Sequence, residues 1–597
     1  MTRYSVTILE RNYSKYIITN IDSGIDATIE SKLTFDPFEL KLFDQDIFSY
    51  DNNKLHIIRS PTITNNNIPA ILILENNKTY GRNVIPGKTY TLKNQAKLLY
   101  KCIPNDPHIP VFLVAYEIKT LGFSKVQSNL YVTIQFTQWT DKHPQATISQ
   151  IIGSVDELSH FYEYQLYCKN LNHSITQFNK QTLHSLKDIS DKKQFIKQIC
   201  DKHKTIEDRT KWHTFSIDPQ GSLDFDDAFS IKKINNNRHM VSIYIANVAI
   251  WLDELKLWSA FSNRVSTIYL PDKKRPMLPN ILSDCLCSLQ ANEERFAFTI
   301  DIIVEIDLYQ ATIIDIKYSN TLIKIHKNYV YEECDLLSNA NYILLLDTTH
   351  KLSNKYKYIN TIHDSHELVA YLMILMNHFC ATSLLKSNKG IFRSTIKKEN
   401  KFVLPDNLPD EVNTFMRMWN SSSGTYIDIE QINGMVNIRH ETLDLDSYIH
   451  ITSPIRRIVD LLNIIQFQHS LNLITLSKDA TTFLKKWTSA IEYINNNMKS
   501  IKKVQNDCNL LHAVSNNPAI MDKVYDGYCF DKIVTQEGLF KYNVYLPELK
   551  LNSIIVMTND FDNYVKKSFK LYIFNNEEKF KKKIRLSLIQ NDIKIIP

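Results

Sequence analysis

Residues 216–230 read SIDPQGSLDFDDAFS, with Asp218, Asp224, Asp226 and Asp227 inside ten positions and no lysine or arginine among them. Carboxylates crowded in this way raise one another's pKa unless a cation intervenes. Hard oxygen donors select Mg²⁺ or Mn²⁺, and Mg²⁺ takes its remaining ligands from water and substrate phosphate. On an extended segment Asp224 and Asp226 share one face and Asp227 the other, whereas a loop can converge all four. Asp-rich turns also serve as Asx-turns and helix caps. An EF-hand does not fit, because its glycine at loop position six and its closing glutamate at position twelve are missing.

A second stretch supplies the opposite charge. YIHITSPIRRIVDLL (448–462) reads as a loop, a proline and a helix carrying Arg456, Arg457 and Asp460. Pro454 is expected in the first helical turn, where its missing N–H does no harm. That places both arginines beside the helix N-terminus. A solvated arginine pair is the plain alternative to a phosphate clamp, in which guanidinium grips phosphate oxygens through two parallel bonds. Together the stretches suggest metal-assisted phosphodiester chemistry.

The chain around them has 597 residues, room for roughly three to five domains. Its 44% hydrophobic and 22% charged residues suit a globular protein. A net charge of +6 is too mild to argue for nucleic acid by itself. Nine cysteines show no CxxC or zinc spacing, as expected of reduced thiols in a cytosolic protein. The N-terminus lacks an apolar signal core, so a cytoplasmic location is expected, with the nucleus left open. The apolar run 368–385 contains Asn377 and His378, which favour a buried helix over a membrane span.

Residues 1 to about 200 carry short β-branched runs between Asn, Asp, Gly and Pro turns, with no convincing helix before a connector at 184–204. This pattern predicts small β-barrels. FSIKKI and HMVSIYIANVAIWL read as a hairpin around Asn235–Asn237, and FAFTIDIIVEIDL as a further strand. Helical patterns take over at 366–387 and from about 455 to 512, before a strand-rich tail from 523.

Both motifs resemble the RNase II/RNase R (RNB) family of exoribonucleases: SIDPQGSLDFDDAFS its acidic signature, YIHITSPIRRIVDLL its arginine motif. STIYLPDKKRPMLPNILSDCLCSLQANEERFAF (266–298), TLIKIHKNYVYEE (321–333) and the helix ending ILMNHFCATSLL follow the family order. IPNDPHIPVFLVAYEI and residues 139–166 resemble the second cold-shock-type OB fold of the eukaryotic branch that includes the exosome catalytic subunit, without that subunit's PIN domain. The resemblance implies a multidomain α+β protein. Cold-shock-type OB barrels are expected at 1–85 and 86–200, an α/β RNB catalytic domain at 201–515 and an S1-type OB barrel at 516–597.

It implies processive 3′→5′ hydrolysis of single-stranded RNA to nucleoside 5′-monophosphates by a monomer, with attachment to a larger RNA-decay complex unsupported and no membrane partner. Asp218, Asp224 and Asp227 would hold Mg²⁺ (or Mn²⁺), with Asp226 completing the cluster as a catalytic residue in a two-metal arrangement. Arg456 would neutralise transition-state charge. Tyr269 would stack on terminal bases, with Tyr331 and Arg457 also at the substrate. Three positions depart from the family: Asn247 replaces an aspartate, Tyr371 an acidic residue and Thr395 a histidine. The rival readings are an RNA-binding scaffold that no longer cuts and a DNA-directed phosphodiesterase.

Overall fold

A computed structural model describes residues 2–589 apart from 27–35, 52–53, 84–95, 119–126, 190, 360, 396–403, 406, 421–423, 432–436, 536 and 577–580. Two compact units form: residues 1–172, 270–272 and 503–597 make one, residues 173–269 and 273–502 the other.

In the first unit, β1 (Arg3–Ile8), β2 (Tyr16–Asn20), β3 (Ile47–Asp51) and β4 (Lys54–Arg59) pair in the order β2-β1-β3-β4. Alternation in RYSVTI turns Tyr4, Val6 and Ile8 inward, the period-two signature of a half-buried strand. β5 (Ile68–Leu72), β6 (Leu98–Pro104), β7 (Phe112–Tyr116), β8 (Leu130–Gln138) and β9 (Gln145–Ser154) close into a barrel. Its first stave starts at Ile68, so the barrel straddles the boundary expected at 85/86.

Helix Leu158–Cys168 was not expected from the sequence. FYEYQLY alternates well enough for a strand, but docking decides: Tyr164 stacks on Tyr131 of β8 with ring centroids 4.3 Å apart. The stretch 184–204 is not one connector helix either. It holds the end of helix Thr176–Lys187 and helix Lys192–Lys202. Asp191 starts the second of these, its carboxylate accepting from the Lys193 N–H at 2.9 Å.

The second unit is built on β10 (Ile206–Asp218), β11 (Asp227–Lys233), β12 (Arg238–Ala246), β15 (Glu294–Ile306) and β16 (Ala311–Val330), which close into another barrel. The short hairpin β13 (Ile268–Tyr269) and β14 (Lys274–Arg275) lies between its strands in sequence. β10 runs parallel to β16 and antiparallel to β11. HMVSIYIANVAIWL is not all strand. It turns helical at Val248–Glu254, one residue after the Asn247 N–H makes a last bond to β15, donating to the Phe296 carbonyl at 2.9 Å.

Helix Ser365–Lys386 is apolar and long enough by composition to cross a membrane, with 56% of its apolar window buried. Asn377 supports a core role: its Nδ2 donates to Tyr448 Oη at 3.0 Å and its Oδ1 accepts from the Ile451 N–H at 3.0 Å. β17 (Ile391–Ser394) and β18 (Thr425–Asp428) form a two-stranded sheet. Helices Ile458–Ser470 and Lys478–Thr488 follow, then Ile491–Asn516.

β19 (Tyr525–Val534), β20 (Phe540–Leu546), β21 (Leu551–Met557), β22 (Lys566–Asn576) and β23 (Lys581–Leu588) return to the first unit as an antiparallel sheet ordered β21-β20-β19-β22-β23. Tyr525, Tyr542 and Phe569 are among its buried side chains.

Candidate active site

The acidic segment leaves the barrel where β10 ends at Asp218 and returns where β11 begins at Asp227. Between them Gly221 takes a φ of 82°, a left-handed conformation that a side chain would strain. Ser288 pins the returning loop, its Oγ accepting from the Phe225 N–H at 3.0 Å and donating to the Leu223 carbonyl at 2.8 Å. The Ala246 N–H donates to the Asp226 carbonyl at 2.8 Å and holds the loop against β12.

The four aspartates occupy three distinct environments. Asp226 is 3% exposed. Its Oδ1 accepts from the Ile455 N–H and its Oδ2 from Arg456 Nε, both at 2.9 Å. Asp224 accepts at Oδ1 from Lys274 Nζ and at Oδ2 from Tyr269 Oη, both at 3.1 Å. Asp218 and Asp227 differ from these, because the Oδ2 of each is a buried atom with no hydrogen-bond partner. Burial, then the charges of Asp218 and Asp226, push the Asp227 carboxyl well above the ordinary range. Burial also lifts Asp218, to about 7, with the Asp226 charge adding to it. Burial raises Asp226 to about 6 although Arg456 pulls the other way.

An acid kept this high by burial and by neighbouring carboxylates is unfavourable in its charged form. Two orphaned carboxylate oxygens side by side in charge fit a cation. Among the described residues, however, no three His, Cys, Asp or Glu side chains are already drawn together to hold one. Asp218 and Asp227 are thus the two with unpartnered oxygens, while Asp224 and Asp226 are engaged by protein donors.

The arginine motif reaches the same place from 230 positions away. Helix Ile458–Ser470 begins later than its sequence suggests: Pro454 lies in the preceding turn and Arg457 is the N-cap. That turn is held from both sides. The Ser453 N–H donates to Asp460 Oδ1 at 2.8 Å, and the Thr267 N–H donates to the Arg456 carbonyl at 3.0 Å. Arg456 Nη2 donates to Ser453 Oγ at 3.0 Å, while 45% of its side chain stays exposed.

Arg457 differs from its neighbour. Its Nη2 donates to fully buried Asp460 at 2.8 Å, so its charge is committed inside the fold. Tyr269 is 38% exposed, and burial of the rest, followed by the Asp224 charge, raises its hydroxyl pKa. Tyr331 stacks on His366 at 3.7 Å, and burial, then Asp227 and Asp218, raise its hydroxyl.

Sequence reasoning overlooked Lys274. It lies on β14 opposite Tyr269 and donates to Asp284 Oδ1 at 2.8 Å as well as to Asp224. The only available signal was the run KKR in LPDKKRPMLP, whose strand register decides which side chain faces the acids.

A family profile for the RNB domain matches residues 206–355 and 337–472, which carry all four aspartates and both arginines. Residues 206–472 thus carry an RNB domain, the domain named in that profile. The chain is 24% identical over 478 residues to Ribonuclease R of Buchnera aphidicola subsp. Schizaphis graminum, 68% of this chain and 63% of that relative's length. A shorter match, 27% identical over 173 residues, is to DIS3-like exonuclease 2 of Schizosaccharomyces pombe, 28% of this chain and 18% of the relative.

Among solved folds, Mycoplasma genitalium RNase R in complex with ribose methylated single-stranded RNA matches with a TM-score of 0.64. The match has 16% identity and covers 98% of this chain and 96% of that one. Yeast Ssd1, described as a pseudonuclease, has the same architecture at a TM-score of 0.59 and 13% identity, covering 86% of this chain and 69% of that one.

The three positions expected to depart from the family pattern have structural occupations of their own. Asn247 is fully buried and donates to Asn320 Oδ1 at 2.9 Å. Tyr371 fills core and donates its hydroxyl to the Tyr356 carbonyl at 2.9 Å. Thr395 sits at a junction where its N–H donates to the Arg439 carbonyl at 3.1 Å.

Proposed function

We propose that the protein is a divalent-metal-dependent 3′→5′ exoribonuclease acting on single-stranded RNA. The observation that carries this reading is the direct Asp226–Arg456 contact beside the unpartnered oxygens of Asp218 and Asp227. An ion such as Mg²⁺ or Mn²⁺ held by the aspartates would polarise the scissile phosphate and acidify the attacking water. Asp218 and Asp227 would supply its first ligands, with Asp224 and Asp226 alongside.

The chain's own groups do the rest. Asp226 orients the Arg456 guanidinium, whose exposed remainder is free to meet a phosphate oxygen and offset the charge that develops there. Tyr269 presents a partly exposed ring on which a terminal base can stack without regard to sequence. Tyr331, stacked on His366 and sensitive to the Asp218–Asp227 charge, would border the substrate on that side. Arg457 shapes the loop through Asp460, which makes it a positioning residue rather than the phosphate ligand suggested by its sequence neighbourhood.

A second reading is favoured by one fact: a pseudonuclease, Ssd1, has this architecture. On that reading the chain binds RNA and does not cut it. End-labelled single-stranded RNA and DNA incubated with the protein and Mg²⁺, with and without EDTA, separate the possibilities. Stepwise shortening of RNA alone, abolished by EDTA, is the expected result. Tight binding without shortening would establish the scaffold, and equal loss of DNA a broader phosphodiesterase.

A further inference from the structure

The cations already built into the site are unequally distributed. Arg456 is paired with Asp226, and Lys274 bridges Asp224 and Asp284 at 3.1 and 2.8 Å. The Lys274 side chain is only 23% exposed, and its two acceptors 13% and 15%. A side chain with four rotatable bonds is therefore held as a fixed point charge by two largely buried carboxylates. Tyr269 occupies the other oxygen of Asp224. The pair left without a protein cation is Asp218 and Asp227, two formal negative charges that one dication balances. A second dication near Asp224 would meet the Lys274 ammonium at contact range, where like charges repel strongly in a partly desolvated site.

We propose that the Lys274 ammonium serves as a resident cation at the Asp224 end of the site, so that the chain takes one divalent ion, between Asp218 and Asp227, instead of two. This rests on the nuclease reading for its chemical purpose but not for its test. The two-metal arrangement expected from sequence gives way to one ion plus one ammonium. The ammonium offers what a second ion would: positive charge fixed near the phosphate, through donors that can face a substrate oxygen. It also needs no ligand exchange, and it holds Asp224 and Asp284 in place before substrate arrives.

The experiment counts ions directly. Mn²⁺ is titrated into the full chain without RNA, and free Mn²⁺ is read by electron paramagnetic resonance. Wild type is expected to bind one ion per chain. Lys274→Gln and Lys274→Met remove the charge in two shapes, and each is expected to bind two. Lys274→Arg keeps the charge and is expected to remain at one. A wild-type count other than one, or an unchanged count in a neutral variant whose thermal melt matches wild type, overturns the proposal. If the counts follow expectation while the wild type leaves RNA intact, the nuclease reading falls and the ion assignment stands.

Discussion

Replacing Asp226 by Asn separates the chemical role of that residue from its structural one. In the folded protein burial raises its carboxyl from 3.8 to about 6, despite Arg456. At 1.36 kcal/mol per unit, ionising it costs the metal-free fold about 3 kcal/mol. Because the folded pKa lies above the unfolded one, this cost is absent below about pH 4 and complete above about pH 6. Asn never incurs it. Asn can still accept from the Ile455 N–H, but its amide faces Arg456 Nε donor to donor. Losing that charge-assisted bond removes about 1.5 kcal/mol, the low end of the range because Arg456 is 45% exposed.

The net effect is a variant about 1–2 kcal/mol more stable than wild type in EDTA at pH 8, an advantage that shrinks as the pH falls below about 6 and is gone by about pH 4. At about 2–4 °C per kcal/mol for a sizeable domain, its melt should shift upward by less than about 8 °C. Stepwise RNA shortening with Mg²⁺ should meanwhile fall by about 10²–10³-fold, the loss usual when one preorganised electrostatic group is removed. Scanning calorimetry against pH and a denaturing gel of end-labelled RNA read the two effects. A variant that melts lower at every pH, or one that shortens RNA within about tenfold of wild type, would refute the reasoning.

Three further outcomes follow from the same geometry. Burial holds Asp218 near 7 and Asp227 well above the ordinary carboxylate range, so in EDTA stability should decline as pH rises from 5 to 8, and Mg²⁺ should raise the melting temperature more at pH 8 than at pH 5.5, as differential scanning fluorimetry would show. Asp460→Ala leaves the Arg457 charge unpaired against a fully buried position and should cost about 3 kcal/mol or more, read as a lowered urea midpoint. Tyr269→Ala should weaken binding of single-stranded RNA by about 1–3 kcal/mol irrespective of sequence, while Tyr269→Phe keeps most of the affinity, as fluorescence anisotropy with catalysis blocked by EDTA would measure.

Local order alone made much of this legible. The acidic run, the arginine motif and their family order can be read along the chain because ligand chemistry demands particular residue types at particular spacings. Alternation in RYSVTI announces a strand because one-sided burial imposes a period of two, and the near-continuous apolar runs of β12 and β15 do so because both faces are buried. Helix Leu158–Cys168 was hidden because its aromatic alternation suits either state, and only the surface of β8 selects one.

Tertiary structure decided how the charges are shared. Nothing in the spacing of four aspartates says that Asp226 takes Arg456, that Asp224 takes Lys274, or that Asp218 and Asp227 are left with buried, unpartnered oxygens. Nor does IRR say which arginine turns inward to Asp460 and which stays half exposed. Sequence specifies which charges exist. Their partners depend on which strands and turns meet across hundreds of positions, and on how much water is excluded where they do, because Coulomb energy depends on distance and dielectric rather than on order along the chain.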